Sequence, residues 1–72
     1  MKKTKSSVYR ITELVGTSTE SWEDAAKNAV QTASRSLREL RIAEVTKLDM
    51  AIDNGKVVAY RARVSLSFKY EK

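Results

Sequence analysis

Apolar and polar positions follow two different rhythms along this chain, and the change from one to the other predicts its elements. From Ser21 to Leu40 the apolar residues are Trp22, Ala25, Ala26, Ala29, Val30, Ala33, Leu37 and Leu40, at successive gaps of 3, 1, 3, 1, 3, 4 and 3. That is the repeat of one helix face. Glu23, Lys27, Asn28, Gln31, Arg35, Arg38 and Glu39 fall on the opposite face, which should be wet. Ser21 stands where an N-cap hydroxyl would accept the Asp24 amide, and Asp24 could reach back to form a weak capping box. Glu20, Glu23 and Asp24 crowd the positive end of the helix dipole, with Arg35 and Arg38 near the negative end. From Val57 to Tyr70 the period becomes two. Val58, Tyr60, Ala62, Val64, Leu66, Phe68 and Tyr70 make one apolar face; Val57, Ala59, Arg61, Arg63, Ser65, Ser67 and Lys69 make a face that is small and basic.

Two other stretches read as strands. Val8 to Val15 is rich in β-forming residues and Gly16 closes the run, leaving Thr17 to Glu20 as a polar link into the helix. Ile42 to Asp53 is the second, but its apolar parity changes around Thr46 and Lys47. A β-bulge there would explain the change; the alternative is a strand buried on both faces, by the helix and by a neighbouring chain. Asp53-Asn54-Gly55-Lys56 suits a two-residue type I′ hairpin turn. Residues 1–6 have no periodicity and read as a disordered leader before a single domain at 7–72. The order is β-α-β-β, an α+β fold. An antiparallel sheet of order 1-3-2, its most apolar strand central, would wrap around one helix. A helix of about 20 residues spans ~30 Å, whereas a strand of about 14 spans ~45 Å. The overhang, placed at Leu66, Phe68 and Tyr70, would be a sticky patch on a lone subunit, so a second copy is expected to cover it.

Size and composition sharpen this. A 72-residue chain buries only about 60% of its unfolded surface, and such small scaffolds lean on disulfides, a metal or a partner. Cysteine and histidine are both absent, which removes disulfides, thiolate or imidazole zinc sites and Cys- or His-based nucleophiles. Oligomerisation and a hard, oxygen-liganded cation remain. Nothing places an activated nucleophile beside a base, and no Gly-rich loop cradles phosphate, so no catalysis is expected. With no apolar run near the ~20 residues of a membrane span and no signal-peptide core, a soluble, cytoplasmic protein is expected. The net charge of +5 raises a nucleic-acid-binding module as one reading. Three of the cations, Lys2, Lys3 and Lys5, sit in the leader, however, and no aromatic residue shares the basic face of the third strand where bases would stack. That reading ranks last.

The run Val15-Gly16-Thr17-Ser18-Thr19-Glu20-Ser21-Trp22-Glu23-Asp24-Ala25 resembles the signature of the dodecin family, and Arg41 to Val45, Asn54-Gly55-Lys56 and Val64 to Phe68 fit the same pattern. The resemblance extends from about Val8 to Lys69. It implies a strand–helix–strand–strand subunit, assembly as a hollow homododecamer, and storage or quenching of a flavin (FMN, FAD or riboflavin) rather than turnover. By the same resemblance the cofactor-binding positions are Arg41, Ile42, Ala43 and Arg61. Flavin-binding members stack the ring on a tryptophan where this chain has Ile42, and hydrogen-bond it with a glutamine where it has Arg61. An aliphatic side chain has no π face, and a guanidinium only donates where an amide also accepts. Ile42-Ala43 together with Asp49-Met50-Ala51-Ile52-Asp53 resembles a calcium-containing subgroup, which makes Asp49 and Asp53 the candidate metal ligands.

Each candidate also has a plainer reading. Trp22 lies on the apolar stripe, where packing is favoured over ligand stacking. Arg61, Arg63 and Lys69 could grip an anion or form cross-strand salt bridges, for instance to Glu44 or Glu13. Glu20, Glu23, Asp24, Asp49 and Asp53 could ligate calcium, but calcium wants 6–8 oxygens and no EF-hand spacing exists, so symmetry mates or carbonyls would have to contribute; capping and solvated charge is the plainer role. The expected function is therefore a dodecameric small-ligand shell, with an ion such as calcium as the alternative ligand.

Overall fold

The computed structural model describes residues 8–69; the leader and Tyr70 lie outside them. Four elements follow in the order β1 (Tyr9–Ser18), α1 (Trp22–Ala33), β2 (Leu40–Asp53) and β3 (Lys56–Lys69). The three strands form one antiparallel sheet of order β1-β3-β2, with the period-two strand in the middle. The helix lies against one face of that sheet, over β1 and β3.

The helix starts where the sequence places it. Ser21 is its N-cap, with an extended backbone and an Oγ that accepts the Asp24 amide at 3.0 Å. Asp24 does not close a capping box; its carboxylate instead accepts from the Ser18 hydroxyl at 2.7 Å. The helix ends at Ala33 rather than near Leu40. Ser34 turns its hydroxyl back to the Gln31 carbonyl, a side-chain bond that competes with helix propagation, and Glu39 takes a positive φ of 60°. Leu37 and Leu40 keep their place against the core, Leu37 from the turn and Leu40 from the start of β2. Their periodicity thus reported burial, not helix.

Gly16 does not end β1, which continues to Ser18. It is instead the point where the helix rests on the strand: a Cβ there would lie 2.0 Å from the Ala25 carbonyl oxygen and 3.0 Å from the Ala29 Cβ. Small side chains on both elements allow this approach. The core is accordingly made of Ala25, Ala29 and Ala33 from the helix and Ala62, Val64 and Leu66 from β3.

The pairing of β2 with β3 shifts register between Leu40 and Ile42, between Val45 and Lys47, and between Ala51 and Ile52. The second shift leaves Thr46 as the extra residue, which confirms the bulge that the parity change predicts; its hydroxyl donates to the Arg63 carbonyl at 3.2 Å. The hairpin turn is also as expected, with φ of 56° at Asn54 and 76° at Gly55. The molecule is elongated, 57 × 20 × 15 Å, because a 12-residue helix covers ~18 Å of strands that are 14 residues long. The overhang lies at the end opposite to that expected. Leu66 is buried and Phe68 half-buried, while Leu48, Met50, Ile52, Val57 and Val58 are left exposed around the β2–β3 turn.

Candidate ligand site on the free sheet face

Pairing register fixes which side chains share a face. Ala62, Val64 and Leu66 point toward the helix, so Arg61, Arg63, Ser65 and Ser67 point away from it. Their partners Thr17, Val15, Glu13 and Ile11 on β1, and Asp49, Lys47, Glu44 and Ile42 on β2, share that free face. It mixes charge with grease: Ile11 is 60% exposed and Ile42 59%.

Arg61 and Asp49 are directly opposed in the register. The guanidinium grips the carboxylate with both arms, Nε to Oδ1 and Nη2 to Oδ2, each at 2.8 Å. Asp49, and neither Glu44 nor Glu13, is thus the cross-strand partner of Arg61. The forked hydrogen bond from Arg61, reinforced by its charge and that of Arg63, holds the Asp49 carboxyl below the usual carboxylate range. The same bond raises Arg61 above the usual arginine value. Both side chains are about half exposed, so solvent screens the pair and its contribution to stability is small.

Trp22 approaches the same residue from the helix side of the sheet. Its indole N–H donates to the Asp49 carbonyl at 2.9 Å, and its ring meets Tyr60 edge-on with centroids 5.0 Å apart. The single tryptophan is therefore a packing and anchoring group that ties the start of the helix to β2. Below it, Ala26, Val45 and Leu48 line an open groove of about 460 Å³ with Trp22 and Glu23.

The four positions implied for a cofactor are not gathered in one chain. Ile42 pairs with Ser67 and Arg61 lies six residues away along β3, ~20 Å on a strand. Ala43 pairs with Leu66 and faces the helix side. Arg41 is the extra residue of the first register shift and forms an ion pair with Glu39. The isoalloxazine site of a flavin binder is therefore not assembled by this subunit alone. Neither is a calcium cage: Asp49 is already held by Arg61, Asp53 lies four residues on, ~13 Å away, and the described residues contain no group of three or more carboxylates, histidines or cysteines able to hold a metal.

One polar centre escaped the sequence reading. Ser18 is 9% exposed, and its hydroxyl donates to Asp24 while accepting the Glu20 amide at 2.8 Å and, more weakly, the Ser21 amide at 3.4 Å. Within the polar run Thr17 to Glu20 nothing distinguishes this serine from its neighbours except its spacing of six from Asp24. Among the described residues no helix is long and apolar enough to cross a membrane.

The family model for dodecin matches residues 8–71. Calcium dodecin of Mycobacterium tuberculosis is 44% identical over 63 residues, which is 88% of this chain and 89% of that protein. Its crystal structure, described as that of a calcium-chelating immunodominant antigen with a novel calcium-binding site, superposes with a TM-score of 0.80 at 45% identity over 90% of this chain and 93% of that one. Dodecin from Streptomyces coelicolor gives a TM-score of 0.88 at 38% identity, covering 96% of this chain and 99% of its own.

Proposed function

The chain belongs to the dodecin family, and from that premise we propose that twelve copies of it close into a hollow shell whose seams bind a small ligand, calcium before flavin. The observation that carries the assembly is the distribution of apolar surface. Among the described residues, eleven large hydrophobic side chains, from Val8 to Val58, are at least 44% exposed. They lie on both faces of a three-stranded sheet that has a single short helix to cover it. A lone particle of this kind would expose far more contiguous grease than a stable monomer carries.

Calcium is favoured by the 44% identity to a calcium dodecin and by what the flavin positions have become. Ile42 has no π face to stack on, and Arg61 is engaged by Asp49. Calcium needs 6–8 oxygens, so carboxylates and carbonyls of several copies would have to converge. Asp53, beside the hairpin turn, is the better placed of the two aspartates, since Asp49 must first release Arg61. A flavin is the second reading. It is favoured by the exposed apolar Ile42 on the free sheet face, which would give contact without stacking.

Native mass spectrometry of the protein as purified is the test. A particle of twelve subunits carrying calcium is the expected result, followed by calcium-dependent heat and a melting shift that vanish on chelation. A folded single subunit of 8.1 kDa would overturn the shell. A shell with no calcium heat but with quenched riboflavin or FMN would transfer the reading to flavin.

A further inference from the structure

Cross-strand register sets the charges of the free sheet face in rows. The row Thr17, Arg61, Asp49 is closed, because both carboxylate oxygens of Asp49 accept from Arg61. The neighbouring row is open. Val15, Arg63 and Lys47 stand side by side in it, with the two cations directly opposed and their Cβ atoms ~5 Å apart, a pairing that works against the sheet. Both cations are exposed. Glu13 and Glu44 flank Ser65 one row further on, yet among the described residues no carboxylate forms an ion pair with Arg63 or Lys47. The charge of Arg63 is felt as far as Asp49, where it helps to hold the carboxyl low. The bulge creates this row. Val45 pairs with Val64 and Lys47 with Arg63, so Thr46 is the extra residue, held by its hydrogen bond to the Arg63 carbonyl. In an unbroken ladder Thr46 would face Arg63, and Lys47 would turn to the helix side opposite the buried Ala62. The irregularity thus aims a lysine at an arginine, and bulges recur where a side chain is re-aimed for a ligand.

We propose that Arg63 and Lys47 form a binding site for a phosphate dianion, free or as a monoester, on the free sheet face. Two unopposed cations match two negative charges. The planar guanidinium of Arg63 offers parallel N–H donors to two phosphate oxygens, and the Lys47 ammonium adds a point charge from the neighbouring strand. The ligand is compact rather than a polymer. Glu13 and Glu44 bound the row on one side and would repel the next phosphate of a nucleic acid, while the Arg61–Asp49 row on the other side carries no net charge. Val15, 46% exposed on the far side of Arg63, gives an organic group of a monoester an apolar rest. The site is complete within one subunit and does not depend on the shell. A neighbouring copy cannot seal this row dry without an anion, since two like charges would then be buried unpaired.

Calorimetry in calcium-free buffer tests this, with phosphate replacing chloride at constant ionic strength so that general screening is unchanged. Saturable millimolar binding of one phosphate per subunit is expected. Arg63→Gln should weaken it at least tenfold, and Lys47→Gln severalfold. Lys27→Gln removes the same charge from the wet face of the helix and should leave it unchanged. Melting curves give a second readout. Phosphate should raise the melting temperature of the unmodified protein but not that of Arg63→Gln, which in chloride should melt higher than the unmodified protein because its like-charge pair is gone. AMP binding more tightly than phosphate, with adenosine inert, would assign a monoester; equal binding of the two would assign free phosphate. The site is wrong if the unmodified protein takes up neither, if Lys27→Gln weakens binding as much as Arg63→Gln, or if adenosine binds as well as AMP. Any of these results leaves the shell standing, and a single subunit in native mass spectrometry would remove the shell without touching this site.

Discussion

At the scale of single residues, three positions have consequences that differ in kind. Gly16 is required by space. A methyl group 2.0 Å from the Ala25 carbonyl cannot be accommodated by a rotamer change, because the obstacle is backbone. Gly16→Ala should therefore push the helix off β1 and cost about 3 kcal/mol or more, read as a lower urea midpoint. Asp49 acts through charge. Its folded pKa lies below the ordinary aspartate value because Arg61 hydrogen-bonds its carboxylate, so its contribution is complete above the unfolded pKa and is lost as pH falls through the folded one. Carboxyl NMR should show Asp49 titrating below the usual aspartate range, and Arg61→Ala should return it to that range. Ile42 bears on the proposed choice of ligand. Ile42→Trp, combined with Arg61→Gln, restores the two groups that the flavin-binding resemblance calls for. If these two positions are what exclude flavin, the double variant should quench riboflavin fluorescence at concentrations where the unmodified protein does not. Quenching equal in the two proteins would show that Ile42 and Arg61 do not set the preference.

At the scale of elements, the chain shows where periodicity can be trusted. The alternation in β3 and the Asn54-Gly55 turn were legible because each depends on one local rule, and so was the bulge at Thr46, which announces itself as a change of parity. The end of the helix was not legible. Leu37 and Leu40 keep helical spacing with Ala33 because they too meet the core, and burial alone cannot distinguish a helix from a turn that folds back beneath it. The Arg61–Asp49 pair was hidden for a related reason. Its partner is set by register, and the bulge at Thr46 changes that register by one residue. Glu39, at φ 60°, closes the reversal into β2, and its carbonyl accepts the Lys69 amide at 3.1 Å. A residue with a Cβ pays for that left-handed backbone with roughly 1 kcal/mol, and its ion pair with Arg41 is half exposed and weak. Glu39→Gly should therefore raise the melting temperature slightly, by about 0.5–1 kcal/mol in stability. A clear fall instead would mean that the Glu39–Arg41 contact holds this turn more firmly than its exposure implies.

At the scale of the whole molecule, the core determines what the subunit can do alone. Among the described residues six hydrophobic ones are buried; four of them are alanines, and only Leu66 and Val64 are larger side chains with essentially no exposure. At ~25 cal/mol per Å² of apolar surface buried, such a core offsets little of the ordering entropy of a chain this size, while the aliphatic side chains that would make up the difference stand exposed on the sheet. Folding and association should therefore be one event. Anything that binds only the folded subunit, a second copy included, stabilises it by mass action, so a tenfold rise in protein concentration should add about 1.3 kcal/mol per subunit in a large assembly. For a domain of this length that is an upward shift of ~5–10 °C in the melting temperature, accompanied by loss of the large particle and of secondary structure at the same temperature. A melting temperature independent of concentration, or a folded single subunit surviving after the particle dissociates, would mean that the alanine-rich core is sufficient alone, and the physical case for obligatory assembly would be lost.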